Sequence, residues 1–383
     1  MIAPLFNPGK RTDSRPALYG ETDFEFLDRV AGNYWQQVRD LLQLWVDHLP
    51  ASERRDVCAR LQGRAASQQA SALLELYLHE VLLRSGCAIQ IHPNVPGTNR
   101  QPDFLATPTS GDPLYVEAVV PAYSDLARAE LNRRSQLIDA INRKPHPRFA
   151  LVLKHLEVGQ TTLSSKSLIT EIHQWLDRLP PDPDPLTTRS FPSRPNNQGW
   201  RISLGVMPWT QKALQLPNRR AIGAQTSGGI QKVDHFGPVQ RALASKESKY
   251  GKPNHPLVVA IGTSFLDDPS HLTNGFYGSL HTDMGTTPPV VTREFNGYFG
   301  SADLPLHQQV SVVLVVHNLS PWRVTGPVVA WHHPWPQRDL PDQLGIPSDA
   351  YRLVDRMPQQ VAFQGDIASV LGLPQQWPSG APW

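Results

Sequence analysis

Three acidic residues lie in neighbouring segments of this chain, at positions where their carboxylates could act together. Glu75 lies in a segment with helical spacing, Asp103 opens an apolar run, and Glu117 lies within a second apolar run. Mg²⁺ prefers oxygen ligands, and two carboxylates with a phosphate oxygen suit its octahedral geometry. Such an ion polarises a phosphoryl group and lowers the pKa of a bound water. The three acids therefore indicate metal-assisted hydrolysis of a phosphate ester.

The segments around these acids predict a helix, three strands, a second helix and a fourth strand between residues 69 and 155. Apolar residues recur at helical spacing over 69–84, which predicts the first helix. The turn-rich segment 107–113 separates Asp103 from Glu117 and is typical of the connection in a hairpin. A hairpin places two carboxylates on adjacent strands, within reach of one cation.

This order of elements and acids resembles the PD-(D/E)xK nuclease superfamily, whose core is the restriction-endonuclease-like αβββαβ fold with a mixed sheet. Pro102-Asp103 matches the PD of the motif, Glu117 matches the acid that follows it, and Glu75 lies on the first helix. The resemblance implies a Mg²⁺-dependent or Mn²⁺-dependent nuclease that hydrolyses phosphodiester bonds in DNA. It implies that Asp103 and Glu117 hold the metal and that Glu75 holds one of its waters.

One position departs from the pattern of the superfamily. The lysine of the motif belongs two residues after the second acid, where this chain has Val119. Side chains alternate along a strand, so Val119 projects beside Glu117, where the ammonium ought to be. Relatives within the superfamily often carry the lysine on another element, and Lys154 in the fourth predicted strand is the candidate that we favour. The other candidates are Arg133, Arg134, Lys144, Lys246 and Lys249.

Two alternatives to a nuclease follow from the same residues. Asp103 and Glu117 could serve only in a structural ion pair or at a strand edge. The chain could also be a catalytically inactive member of the fold, acting as a nucleic-acid-binding or protein-interaction module. Val119 in the lysine position favours the inactive module, whereas the presence of all three acids favours the nuclease.

Composition excludes several classes of protein. No stretch reaches the roughly 18 apolar residues that a membrane helix needs, and the N-terminal segment lacks the apolar region of a secretory signal. Cys58 and Cys87 are isolated from each other and from histidine clusters, which excludes a disulfide framework and a zinc site of the usual spacing. A cytoplasmic protein without a membrane partner is the expectation.

Positive charge is concentrated in the tract 189–252, although the net charge of the whole chain is only +2. This tract holds 11 Lys and Arg against two acids. A basic block in a nearly neutral chain is typical of contact with a polyanion, so nucleic acid is the predicted partner. Packing against the acidic C-terminal third, or a solvated loop, are the alternatives. The predicted contacts are Arg219, Arg220, Lys246, Lys249 and Lys252.

The patterns divide the chain into three parts. Residues 1–65 predict a helical N-terminal element, 66–160 the nuclease-like core, and 161–383 a C-terminal extension that contains the basic tract. Within the extension, a helix followed by a strand at 238–262 could extend the same sheet. A protein partner or self-association stays open.

Overall fold

The computed structural model describes residues 4–121, 125–192, 199–215, 219–225, 236–247, 249–263, 269–283, 285, 290–340 and 346–382. The helices in this part of the chain are α1 Asp23–Arg29, α2 Asn33–Asp47, α3 Ala51–Gln62, α4 Ala66–Arg84, α5 Asp125–Asn142, α6 Ser165–Asp177, α7 Gln211–Leu214, α8 Phe236–Glu247, α9 Pro269–Tyr277 and α10 Ile367–Val370. The strands are β1 Ala88–Ile91, β2 Phe104–Thr107, β3 Leu114–Val119, β4 Phe149–Glu157, β5 Thr188–Phe191, β6 Arg201–Pro208, β7 Ile222–Gln225, β8 Leu257–Thr263, β9 Leu280–Asp283, β10 Val290–Arg293, β11 Val312–His317, β12 Val328–His332, β13 Asp349–Val354 and β14 Met357–Val361.

The chain divides into two compact units, and the second is inserted into the first. The first unit comprises Met1–Lys10, Gly32–Ala122 and Val233–Trp383. The second unit comprises Arg11–Ala31 and Tyr123–Lys232. This division differs from the three consecutive parts expected from the sequence. Local helix and strand patterns do not indicate whether a segment is inserted into a unit or follows it along the chain.

The first unit contains an eight-stranded mixed sheet in the order β1-β2-β3-β8-β11-β12-β13-β14. β1, β2 and β3 form an antiparallel meander, whereas β8 runs parallel to both β3 and β11. β12 is antiparallel to β11 and parallel to β13, and β14 closes a hairpin with β13. A parallel pair needs a crossover connection, and the one between β3 and β8 contains residues 123–232 and α8.

Helices cover both faces of the sheet around β3 and β8. On one face, Val239 and Leu243 of α8 share a buried core with Val119 of β3. On the other face α4 packs against β3 and β8, and Leu74 of α4 lies against Gly262 of β8. Every residue of β8 and β11 is buried, as expected of parallel strands covered on both faces. The expectation of a mixed α/β fold is confirmed.

The helical N-terminal element forms as α1, α2 and α3, but its first helix belongs to the second unit. Thr22 begins α1 with a capping box, in which Thr22 Oγ1 accepts from Glu25 N and the Glu25 carboxylate accepts from Thr22 N. α2 and α3 pack against α4 in the first unit. This arrangement supports the helix that carries Glu75.

The second unit has its own four-stranded sheet, in the order β5-β6-β4-β7. The expectation that β4 is the fourth strand of the sheet carrying Asp103 and Glu117 is therefore wrong, and β8 holds that place. Phe149 and Leu151 of β4 share a buried core with Leu137 of α5, and β6 provides a long antiparallel partner. An apolar strand pattern predicts a strand but not the sheet that it joins.

Candidate functional site

Asp103 and Glu117 lie next to the first residue pair of the β2–β3 hairpin. Phe104 pairs with Val116 in this antiparallel ladder, Asp103 precedes Phe104, and Glu117 follows Val116. Asp103 Oδ2 accepts a hydrogen bond from Ala118 N at 2.6 Å, which holds its carboxylate against β3. The hairpin thus brings the two acids together, as their spacing predicts.

Glu117 is 2% exposed, and three side chains from the end of α8 and the turn after it bind its carboxylate. Lys246 Nζ lies 2.5 Å from Glu117 Oε1, and Lys249 Nζ lies 3.4 Å from the same oxygen. The hydroxyl of Tyr250 lies 2.6 Å from Glu117 Oε2 and 3.2 Å from the carbonyl oxygen of Gln101. A buried carboxylate requires such partners, because an unpaired charge in the interior is costly. The site therefore contains a basic side chain beside its buried acid.

Glu75 lies on α4 and lines a small pocket together with Asp103. Arg60 of α3 donates to both of its oxygens, at 2.8 Å to Oε1 and 2.5 Å to Oε2. Such a bidentate pair is among the stronger charge-assisted interactions. Glu75 thus lies near Asp103, as expected, but its charge is balanced by an arginine that the sequence pattern does not single out.

Burial, followed by the negative charges of Glu117 and Glu75, raises the pKa of Asp103 to about 7. The hydrogen bond from Ala118 N and the charge of Lys246 act against this shift. Like charges held together without a neutralising cation favour the protonated form of one of them. Asp103 is therefore the acid of this group that titrates near neutral pH.

The negative charge of Glu117 affects the pKa values of the lysines and the tyrosine beside it. Burial opposes the charged form of Lys246, yet its contact with Glu117 raises the pKa of Lys246 above its ordinary value. Burial lowers the pKa of Lys249, and repulsion from Lys246 acts in the same direction. Burial and the Glu117 carboxylate together raise the pKa of Tyr250. At neutral pH the site therefore holds a charged Lys246 and a neutral Tyr250 hydroxyl.

Asp103 makes a specific contribution to the pH dependence of stability. Its ordinary pKa is 3.8 and its folded value is about 7, so between these values the native chain holds a proton that the unfolded chain has lost. The resulting stabilisation is fully present below the pKa of the unfolded chain and is lost as the pH rises through about 7.

We expect Asp103→Asn to remove this decline in stability with pH, as measured by urea unfolding at about pH 5 and about pH 8. Asp112→Asn, an exposed acid in the same hairpin, should keep the parent's pH dependence; equal behaviour of both variants would contradict the expectation.

Lys154 is not one of the basic groups that contact Glu117. It lies on β4 in the sheet of the second unit, where its Cε lies over Gly205. Val119, in the lysine position of the motif, is buried in the core that α8 covers. A charged side chain would be costly there, and the ammonium enters from α8 instead. Lys246 was one of several candidates in the sequence, and Tyr250 was not singled out. Lys249 and Tyr250 follow Lys246 by three and four residues, and this spacing is the signal that could have found both.

The predicted nucleic-acid contacts fall into both units. In the second unit, the Arg220 guanidinium lies over the ring of Tyr19 at 5.6 Å and that of Arg219 lies over Trp209 at 5.5 Å. In the first unit, Lys252 is exposed, whereas Lys246 and Lys249 contact Glu117. The basic tract is thus divided between the units, and its residues 193–198, 216–218, 226–235 and 248 lie outside the described part of the chain. Its binding to nucleic acid stays a prediction.

Among the described residues, no group of three or more His, Cys, Asp or Glu side chains is arranged to hold a metal ion. No helix in the same part of the chain is long and apolar enough to cross a membrane.

Comparisons with protein-family profiles, with curated proteins and with solved structures find no match.

Proposed function

We propose that this protein is a metal-dependent nuclease of the PD-(D/E)xK type, with its catalytic lysine on α8. The observation that carries the proposal is the contact between Lys246 Nζ and Glu117 Oε1 at 2.5 Å, on a carboxylate whose charge acts on Asp103. Glu117 and Lys246 then take the roles of the second acid and the lysine of the motif. Lys246 replaces Lys154 in this role, because Lys154 belongs to the other unit.

The order of elements in the first unit supports the proposal. With residues 123–232 set aside as an insertion, the chain runs α4, β1, β2, β3, α8 and β8. β1–β3 form a meander and β8 pairs parallel with β3. The resemblance to the restriction-endonuclease-like core implies an αβββαβ order, and this run of elements fits it if α8 and β8 are taken as the last two. Fold alone does not imply function, so the proposal depends on the site.

The donor set fits a hard divalent cation. Mg²⁺ is commonly bound by one or two carboxylates together with substrate phosphates and waters, so Asp103 and Glu117 suffice as protein ligands for Mg²⁺ or Mn²⁺. Burial is the largest cause of the raised pKa of Asp103, and the negative charges of Glu117 and Glu75 raise it in the same direction. A cation would relieve the repulsion between these charges. When bound, the ion would polarise the phosphoryl group and lower the pKa of a water.

Each residue of the site has a role in this reaction. Asp103 and Glu117 would orient a phosphodiester through the shared ion. The ammonium of Lys246 would stabilise the negative charge that develops on the phosphoryl oxygens. The Tyr250 hydroxyl holds Glu117 in place by its hydrogen bond to Oε2. Arg60 holds Glu75 at the rim of the pocket, where Glu75 can orient a water. DNA is the proposed substrate.

One observation favours the second candidate, a catalytically inactive binding module. Both oxygens of Glu117 are already bound, by Lys246 and Lys249 on one side and by Tyr250 on the other. A fully satisfied buried network can serve structure alone. The two candidates differ in whether a divalent cation competes with these partners.

Cleavage assays on the purified full chain separate the two candidates. We expect cleavage of duplex or single-stranded DNA with Mg²⁺ or Mn²⁺, none with a chelator, and at least about a tenfold loss in Asp103→Asn. Asp112→Asn, purified in parallel, should retain the parent's rate and excludes a contaminating nuclease. If the parent cleaves neither DNA nor RNA with any divalent metal, the inactive module becomes the better interpretation.

A further inference from the structure

The loop between β1 and β2 is joined to the turn that follows α8. Thr98 Oγ1 donates to Lys249 O at 3.4 Å, and the Tyr250 hydroxyl lies 3.2 Å from Gln101 O. Val95 of the same loop is buried in one core with Tyr250. These contacts fix the loop against the turn, so that Arg100 is held near the groups around Glu117. The charge of Arg100 lowers the pKa of Tyr250, against the larger effects of burial and Glu117 that raise it.

The joined segments concentrate positive charge in a unit that is acidic as a whole. The first unit contains 17 Lys and Arg against 21 Asp and Glu, for a net charge of −4, and the second contains 19 against 13, for +6. Yet four cations fall within the β1–β2 loop and residues 246–252, against two acids, Asp103 and Glu247. The cations are Arg100, Lys246, Lys249 and Lys252. This concentration does not follow from the average charge of the unit.

Lys246 and Lys249 do not share the nearby negative charge equally. Both contact one oxygen of Glu117, and the charge of Asp103 also acts on Lys246. Lys246 is the closer and more buried of the two, with a side chain 20% exposed, against 34% for Lys249. Lys249 is therefore the ammonium that a second anion could recruit from the surface. Arg100 and Lys252, on the two joined segments, are exposed.

We infer that Arg100, Lys249 and Lys252 form a binding site for the phosphodiester backbone of a nucleic acid, beside the Glu117–Lys246 pair. The inference rests on the proposed function, to which it adds the surface that positions the strand. Lys and Arg contacts to phosphates release counterions and carry no sequence information. The site therefore accepts a backbone of any sequence and leaves Lys246 to act on the phosphate at the metal.

Binding measured with a chelator present isolates this surface from cleavage. The assay is fluorescence anisotropy of the full chain with labelled duplex DNA, single-stranded DNA and RNA of one length, over a series of salt concentrations. The test variant is the triple substitution Arg100→Gln, Lys249→Gln and Lys252→Gln. The matched control carries Lys10→Gln, Arg55→Gln and Arg323→Gln, which are exposed in the same unit and change the net charge equally.

We expect the test variant to lose affinity at low salt and to lower the slope of log K against log salt by about three, roughly one for each lost phosphate contact. Single substitutions of Arg100 and Lys252 should each lower it by about one, which keeps the test valid if the triple variant folds poorly. The control should keep the parent's slope. Equal losses in test and control variants, or no loss in either, would overturn the site.

The outcomes separate this inference from the proposed function. If the parent cleaves nucleic acid but the test variant binds as tightly as the parent, the nuclease stands and the binding site fails. If the parent binds through this site but cleaves nothing with any metal, the binding site stands and the nuclease fails. The substrate that loses most affinity in the test variant identifies the strand type that the surface positions.

Discussion

Replacing Lys246 with methionine is expected to lower the rate of metal-dependent DNA cleavage by about 10²–10³, the usual effect of removing one preorganised group that stabilises charge in the transition state. Methionine retains an unbranched apolar stem but removes the ammonium that lies 2.5 Å from Glu117. The chemical step should be measured in single turnover with enzyme in excess. Affinity for the same DNA, measured with a chelator, should change far less than the rate.

Three further variants make this result specific. Lys10→Met changes an exposed lysine of the first unit and should retain the parent's rate. Lys154→Met tests the lysine favoured from the sequence because it lies in the next predicted strand, and a loss confined to this variant would return the catalytic role to β4. Lys246→Arg keeps the positive charge and should recover part of the lost rate if charge is what the step requires. Equal losses in the arginine and methionine variants would instead indicate that the lysine supports the packing of α8.

Trp331→Ala should destabilise the protein by about 3–5 kcal/mol, because a large buried side chain is lost and the cavity is only partly refilled. Trp331 is fully buried on β12, stacks on Tyr351 with ring centroids 5.5 Å apart, and donates its indole N–H to Thr273 Oγ1 at 3.1 Å. It shares a core with Leu243 of α8. The core beneath the helix that carries Lys246 should therefore weaken.

Guanidinium-induced unfolding, followed by circular dichroism, measures this effect. Trp331→Phe should cost less than Trp331→Ala, since it retains a ring that can stack on Tyr351 but loses the hydrogen bond to Thr273. A loss below about 1 kcal/mol in Trp331→Ala would contradict the packing described, since that is below the usual range for truncating a buried aromatic side chain.

The arrangement of the site explains how an ammonium can reach Glu117 from a distant part of the chain. The position two residues beyond Glu117 is occupied by Val119, which belongs to the core beneath α8. α8 crosses the same face of the sheet, so a side chain at its C-terminal end can reach the carboxylate. Lys246 and Lys249 both do so. An apolar residue at the motif position and a lysine on the covering helix are thus compatible parts of one packing arrangement.

The sequence by itself determined the elements whose signals are local. α4 follows from the helical spacing of its apolar residues, and the antiparallel pairing of β2 with β3 follows from the turn-rich segment between them. Because hairpin register is set by a short connection, the placement of Asp103 near Glu117 was within reach of sequence reasoning. The α8 helix and the strand after it were also predictable as elements.

The tertiary structure alone decided which strand lies beside β3. Parallel pairing is non-local, and a crossover connection can contain an entire inserted unit without any change in local pattern. β4 and β8 both have the composition of buried strands. Which of them lies beside β3 therefore depended on tertiary partners, which for β4 are β6 and the core that it shares with α5 and α6. That choice placed Lys154 in a separate sheet and brought Lys246, Lys249 and Tyr250 to Glu117. The pairing of Glu75 with Arg60 was likewise decided by how α3 packs on α4, because an ion pair between two helices depends on the packing that positions both.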